Sequence, residues 1–272
     1  MRVAIVQMCS TNDLASNLEQ AERSLSEAVA RGARFVALPE NFAYMRREGG
    51  AFPCAQGPDG EIVRALAEWA KRMGIWLLGG TFPEAIPGDD RVYNTSVIFS
   101  PEGREVARYR KIHLFDVTLG PDDEDRYQES AHFAAGEDLA IASTPFGEIG
   151  MSICYDLRFP ELYRALVLRG ARWLVVPSAF TRETGRDHWE ILLRARAIES
   201  QAYVLAPAQC GHHSPDRASH GRSLIIDPWG RVLAEAGNWP RVLVADCPLE
   251  EVDRVRASIP ALSHRRLPSF GE

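Results

Sequence analysis

Cysteine is scarce and unpaired in this chain: five residues (9, 54, 154, 210 and 247), an odd number, widely spaced and without a CxxC pair. That usage excludes a disulfide framework and fits a reducing compartment. No apolar stretch approaches the ~18 residues needed to span a bilayer, and no small-residue cleavage site follows the short apolar run at 2–8. The expected location is the cytoplasm, with no membrane partner. An excess of basic charge is also missing. The formal net charge is −6 with both signs intermixed, which argues against nucleic acid and leaves a small molecule as the expected partner. GxSxG, P-loop and GxGxxG patterns are all absent, so serine-hydrolase, nucleotide-triphosphate and dinucleotide readings have no local support.

Linkers and repeats are missing too. With 272 residues, 46% of them hydrophobic, the chain is expected to form one α/β domain over 1–272. Strands are expected at 3–8, 35–38, 75–82, 92–99, 104–110, 140–144, 148–153, 173–176, 203–207, 222–226, 231–234 and 242–245. Helices are expected at 14–29, capped by Asn12 or Asp13 and closed by Gly32, at 62–73, through Leu162 and Leu166, at 187–201, and briefly at the end. Alternating βα units early and ββ pairs late imply two sheets with helices outside. The Asn94-Thr95-Ser96 triplet matches a glycosylation acceptor but reads as an ordinary polar strand start.

The segment GEIGMSICYDLRFPE (147–161) places Cys154 at the end of a short apolar strand, where core meets cleft. The carboxyl ends of strands carry ligand sites in open α/β sheets, so this thiol is a candidate nucleophile as well as a small apolar filler. Glu40 after FVALP and Lys111 after EVARYR end two further strands, and the three can converge in one cleft. Taken singly, Glu and Lys at strand ends usually face water. No histidine sits in a comparably specific motif for a Cys–His arrangement: His113 follows Lys111 by two residues, and His188 begins a helix. His212, His213 and His220 with Cys210 and Asp216 lack regular metal-ligand spacing, so no metal and no cofactor are expected.

ALPENF around Glu40, YRKIHLFD around Lys111 and CYDLRFPE around Cys154 resemble the three signatures of the nitrilase (carbon–nitrogen hydrolase) superfamily, in the family's order and across nearly the whole chain. The resemblance implies a four-layer αββα sandwich, commonly paired as a homodimer. It implies that Cys154 is the nucleophile, Glu40 the general base and Lys111 the electrophilic stabiliser, with Glu129 in RYQES bonded to Lys111 and the Tyr155 N–H as a second oxyanion donor. The thiol attacks an amide, ammonia leaves, and water releases the acid from a thioester. The runs HWEILLRARAIESQAYVLAPAQCG and RASHGRSLIIDPWG look most like the Nit-type amidases, and within them those acting on deaminated glutathione. Alternatives are an ω-amidase acting on α-ketoglutaramate, a nitrilase, and a catalytically silent member that binds a metabolite or partner.

Such amides carry carboxylates, which arginine matches best. Arg158 is the first candidate, followed by Arg182 and Arg186. Tyr44, Phe115, Tyr155, Phe180 and Thr181 flank the motifs and are expected as pocket walls. The acidic loop 116–128 is expected to shape the pocket mouth.

Overall fold

Residues 3–6 are apolar at every position and wholly buried, which a strand achieves only when both its faces are covered. A computed structural model, described over residues 1–47, 49–119 and 125–267, shows what covers them. The chain runs β1 (Arg2–Gln7), α1 (Leu14–Ala30), β2 (Phe35–Ala37), α2 (Glu61–Met73), β3 (Trp76–Leu78), β4 (Phe82–Ala85), β5 (Val92–Phe99) and β6 (Glu105–Arg110). A hairpin of β7 (Asp116–Leu119) and β8 (Asp125–Gln128) follows, then β9 (Ile141–Ala142), β10 (Glu148–Met151), α3 (Pro160–Leu168), β11 (Ala171–Val175) and α4 (Arg182–Ser200). After β12 (Tyr203–Ala206), a second hairpin of β13 (Cys210–Ser214) and β14 (Arg217–His220) precedes β15 (Leu224–Ile226), β16 (Val232–Glu235), β17 (Arg241–Asp246) and α5 (Glu250–Ser258).

Two mixed sheets result, ordered β17-β1-β2-β3-β5-β4 with β6 on β5, and β16-β15-β12-β11-β10-β9. Strand alternation sorts the apolar residues into three cores. Ala4 and Val6 of β1 pack with Leu25 of α1 and Leu66 of α2. Val3 and Ile5, pointing the other way, share a core with Met151, Trp173 and Leu205 of the second sheet. On that sheet's far face, Leu174 and Val204 pack with Leu166 of α3 and Leu193 of α4. The layers are helix, sheet, sheet and helix, the α/β sandwich that the resemblance implies.

Several expected elements shift, for local reasons. The run at 75–82 breaks into β3 and β4 because Gly80 turns with φ +55, and a Cβ there would lie 2.2 Å from the Pro39 carbonyl. Only glycine lets this turn pass so close beside the Glu40 loop. The strand expected at 222–226 starts at Leu224, since Arg222 adopts φ 56. The helix expected from 187 begins at Arg182 with Thr181 as its cap, the Thr181 hydroxyl accepting from the Thr184 N–H. His188 therefore lies inside that helix. The acidic stretch forms the β7–β8 hairpin, and its Asp122, Asp123 and Glu124 lie outside the described residues.

Candidate active site

β2 is buried throughout and delivers Leu38-Pro39-Glu40 past the carboxyl end of an interior strand of the first sheet, where Asn41 at φ 55 turns the chain away. Lys111 follows β6 directly, its N–H bonded to the Asn94 carbonyl of β5 at 3.0 Å. Cys154 begins a short 3-10 turn (Cys154–Arg158) after β10, its N–H bonded to the Pro177 carbonyl at 3.0 Å. Its φ of 48 puts a non-glycine residue in left-handed backbone, a conformation costing about 1–3 kcal/mol that persists only where its surroundings enforce it.

The three side chains meet. Glu40 and Lys111 are 3% and 2% exposed, with Lys111 Nζ 3.2 Å from Glu40 Oε1 and 2.9 Å from both Glu129 oxygens. Burial works against the ammonium, but the charges of Glu129 and then Glu40 outweigh it and raise the Lys111 pKa. Lys111 stays cationic. Burial and the neighbouring Glu40 carboxylate push the Cys154 thiol well above its usual value, against the pull of Lys111. The resting sulfur is therefore a protonated thiol beside a carboxylate and an ammonium.

Residues not foreseen in the sequence hold this arrangement. Glu40 Oε1 accepts from Asn94 Nδ2 at 2.9 Å, and its Oε2 accepts from the Ala179 N–H at 2.7 Å. Gln209 Nε2 fastens the Glu40 carbonyl at 2.9 Å. Asp156, with no exposed surface, accepts from the Ile153 N–H (2.8 Å) and Tyr109 hydroxyl (2.7 Å) through Oδ2, and from the His113 N–H (3.1 Å) through Oδ1. The His113 ring closes the set, with Nδ1 2.7 Å from Oδ1 and its face stacked on Phe159. The signal for Asn94 was a run of polar residues in a strand whose other positions are apolar.

A cavity of about 320 Å³ opens above these groups, its walls including Phe115, Tyr155, Phe180 and Thr181 as expected, together with Thr184 and Ser219. Four expected residues are elsewhere. Tyr44 lines a separate open groove with Cys54 and Gln56, because the chain has already turned away after Asn41. Arg158 lies behind the wall, over the rings of Tyr155 (5.8 Å) and Phe180 (5.6 Å) and 3.3 Å from His188 Nδ1. Arg186 pairs with Asp187 on the exposed start of α4, and Arg182 does not line the cavity either. The guanidiniums that do are Arg46, four residues past ALPENF, and Arg217, the first residue of the run RASHGRSLIIDPWG. Among the described residues no histidine lines the cavity. His213 is instead saturated, its Nδ1 2.8 Å from the Ser10 carbonyl and its Nε2 2.8 Å from the Ser219 hydroxyl.

Residues 2–257 match the sequence model of the family Carbon-nitrogen hydrolase. The chain belongs to that family. This carbon–nitrogen hydrolase is 44% identical to a deaminated glutathione amidase from Synechocystis sp. over 96% of its own length and 97% of that protein's. Its fold is similar to Saccharomyces cerevisiae Nit3, a member of branch 10 of the nitrilase superfamily, with a TM-score of 0.88 and 32% identity over 98% and 97% of the two chains. It is also similar to the C. elegans NitFhit protein (TM-score 0.86, 38% identity), covering 97% of this chain and 65% of that one, so it spans about two thirds of NitFhit. Carbon–nitrogen hydrolase membership makes the chain a hydrolase of non-peptide C–N bonds. No helix among its described residues is long and apolar enough to cross a membrane.

Proposed function

We propose that the chain, acting as one catalytic domain, is a thiol-dependent amidase that cleaves a small carboxylated amide through a thioester on Cys154. The observation that carries this reading is the convergence of Glu40, Lys111 and Cys154 on one cavity, with Lys111 held between two carboxylates. The raised thiol pKa means that attack needs a base at the moment of reaction, and Glu40 takes the sulfhydryl proton as the C–S bond forms. The carbonyl oxygen becomes an oxyanion facing the Lys111 ammonium and the Tyr155 N–H, which lies too early in its 3-10 turn to find a carbonyl within that turn. Losing one such donor typically costs roughly 3 kcal/mol of barrier. Collapse breaks the C–N bond and Glu40 returns its proton to the departing nitrogen. Water, deprotonated by Glu40, then attacks the thioester and regenerates the thiol.

The substrate we favour is deaminated glutathione, on the similarity to amidases of that name. Its scissile amide is secondary, so the expected release of ammonia is corrected for this substrate: the leaving group is the amine of cysteinylglycine and the acid is 2-oxoglutarate, whereas a primary amide such as α-ketoglutaramate would give ammonia. Rates on deaminated glutathione, α-ketoglutaramate, glutamine and a simple nitrile test this, read as 2-oxo acid or ammonia. Preference for deaminated glutathione is expected. Preference for the nitrile would overturn the amidase reading, and silence on all four would favour a binding protein.

We also propose that two copies pair through α4. Ile191 and Ile198, seven residues apart on one helical face, are 70% and 52% exposed, and Trp229 and Leu233 are exposed as well. Five free cysteines suit work in the reducing cytoplasm.

A further inference from the structure

Glu40 and Glu129 already share the Lys111 ammonium, so the cavity floor offers no cation to a substrate carboxylate. The walls must supply one, and they carry two guanidiniums, Arg46 and Arg217. Arg46 is buried, lying over Phe52 and bonded through Nη1 to the Arg47 carbonyl. Arg217 differs. It is half-buried, its Nη1 donates to the Arg46 carbonyl at 2.8 Å, and no described carboxylate forms an ion pair with it. The adjacent Asp216 directs its Oδ1 to the Ser214 hydroxyl at 2.6 Å.

The hairpin under Arg217 is fixed to the site. Ser219 of β14 bridges Thr181, and the His220 N–H donates to the Phe180 carbonyl at 2.9 Å. His213 of β13 bonds the Ser10 carbonyl and the Ser219 hydroxyl. Arg217 is thus a preorganised cation on the wall rather than a loose surface charge. The exposed neighbour Asp216, which also lines the cavity, marks the Arg217 end as the mouth, whereas buried Glu40 and Lys111 mark the floor.

The order of bond breaking decides which part of the substrate Arg217 meets. The amine departs while the acyl group is still bonded to Cys154, so the amine must occupy the open side. The geometry points to Arg217 as a specificity-determining residue that reads a carboxylate on the leaving amine, several bonds from the scissile carbonyl. This rests on the amidase reading above and extends it: the preferred substrates are amides of amino acids or short peptides, such as the cysteinylglycine half of deaminated glutathione, rather than primary amides.

The test compares deaminated glutathione with its C-terminal glycinamide, which lacks only the leaving-group carboxylate, in the wild type, Arg217→Gln and Arg217→Lys. The readout is the ratio of kcat/KM for acid over amide, with 2-oxoglutarate as the product measured. The wild type is expected to favour the acid by on the order of 10- to 100-fold, the worth of one charge-assisted contact. In Arg217→Gln the ratio falls to near one, through KM, and Arg217→Lys lies between. A wild-type ratio near one, an unchanged ratio in Arg217→Gln, or equal loss on both substrates would overturn the assignment while leaving the amidase reading standing. A wild type that cleaves neither compound yet releases ammonia from α-ketoglutaramate would overturn the substrate reading, and Arg217's role with it.

Discussion

Asp156 Oδ2 accepts the Tyr109 hydroxyl at 2.7 Å, a bond between two buried side chains that joins the strand leading to Lys111 with the turn that carries Cys154. The same oxygen holds the Ile153 N–H, so one carboxylate sets both the left-handed turn at Cys154 and the reach of the lysine toward it. Such a group touches no substrate. In the proposed mechanism it positions two that do.

Asp156→Asn leaves one oxygen and one amide to face donors that need acceptors on both sides, and each unpaired buried donor costs about 1–3 kcal/mol. The expected result is a kcat lower by about 10- to 100-fold with KM changed only a few-fold, and a lower melting temperature. Steady-state kinetics check it: an effect confined to KM would place Asp156 in substrate binding instead.

Glu129→Gln removes the largest influence raising the Lys111 pKa. The wild-type ammonium stays charged across the alkaline range; without Glu129 its pKa falls, so Glu129→Gln should lose kcat at an alkaline pH where the wild type keeps it. Profiles from pH 7 to 11 decide this, and coincident alkaline limbs would remove Glu129 from the charge balance of the site.

Burial holds His213 at about 4 against its usual 6.5. Between those values the unfolded chain binds a proton that the folded one does not, so stability is fully present above the unfolded pKa and is lost as pH falls toward 4. His213→Gln should flatten the fall in melting temperature between pH 6.5 and 4, a difference on the order of a few kcal/mol. Parallel curves for the two proteins would show that His213 is not what senses the acid.

Much of the chemistry was legible in the chain because three reactive residue types each end a strand within a long motif, a set that says more than any one of them, since singly such residues face water or fill the core. Glu40, Lys111 and Cys154 are that set, and Lys111 stands out further as one of only two lysines among 31 basic residues. The layers were legible too, since strands apolar on both faces require two covers. The roles of Asn94 and Asp156 were not, because their partners, the Glu40 carboxylate for one and the Tyr109 hydroxyl and His113 N–H for the other, lie more than 40 residues away along the chain, where no spacing reveals them. Arg158 misled for a related reason: position beside a motif fixes where the backbone goes, and here the side chain turns onto the rings of Tyr155 and Phe180. Arg217 lies 63 residues beyond Cys154 and reaches the site only through the β13–β14 hairpin.

Pairing through α4 has its own consequence. Ile191→Glu combined with Ile198→Glu puts two charges on the apolar face and should halve the mass measured by light scattering. An unchanged mass would move the contact elsewhere or show the wild type to be a monomer.

The most direct test of the central claim is the mass of Cys154 during turnover. The enzyme is mixed with deaminated glutathione, quenched in acid within one turnover, and digested for peptide mass analysis. A 2-oxoglutaryl group on the peptide containing Cys154, absent in Cys154→Ala along with all turnover, is expected. Sustained product formation by Cys154→Ala, or an acyl group carried by a different residue, would contradict it.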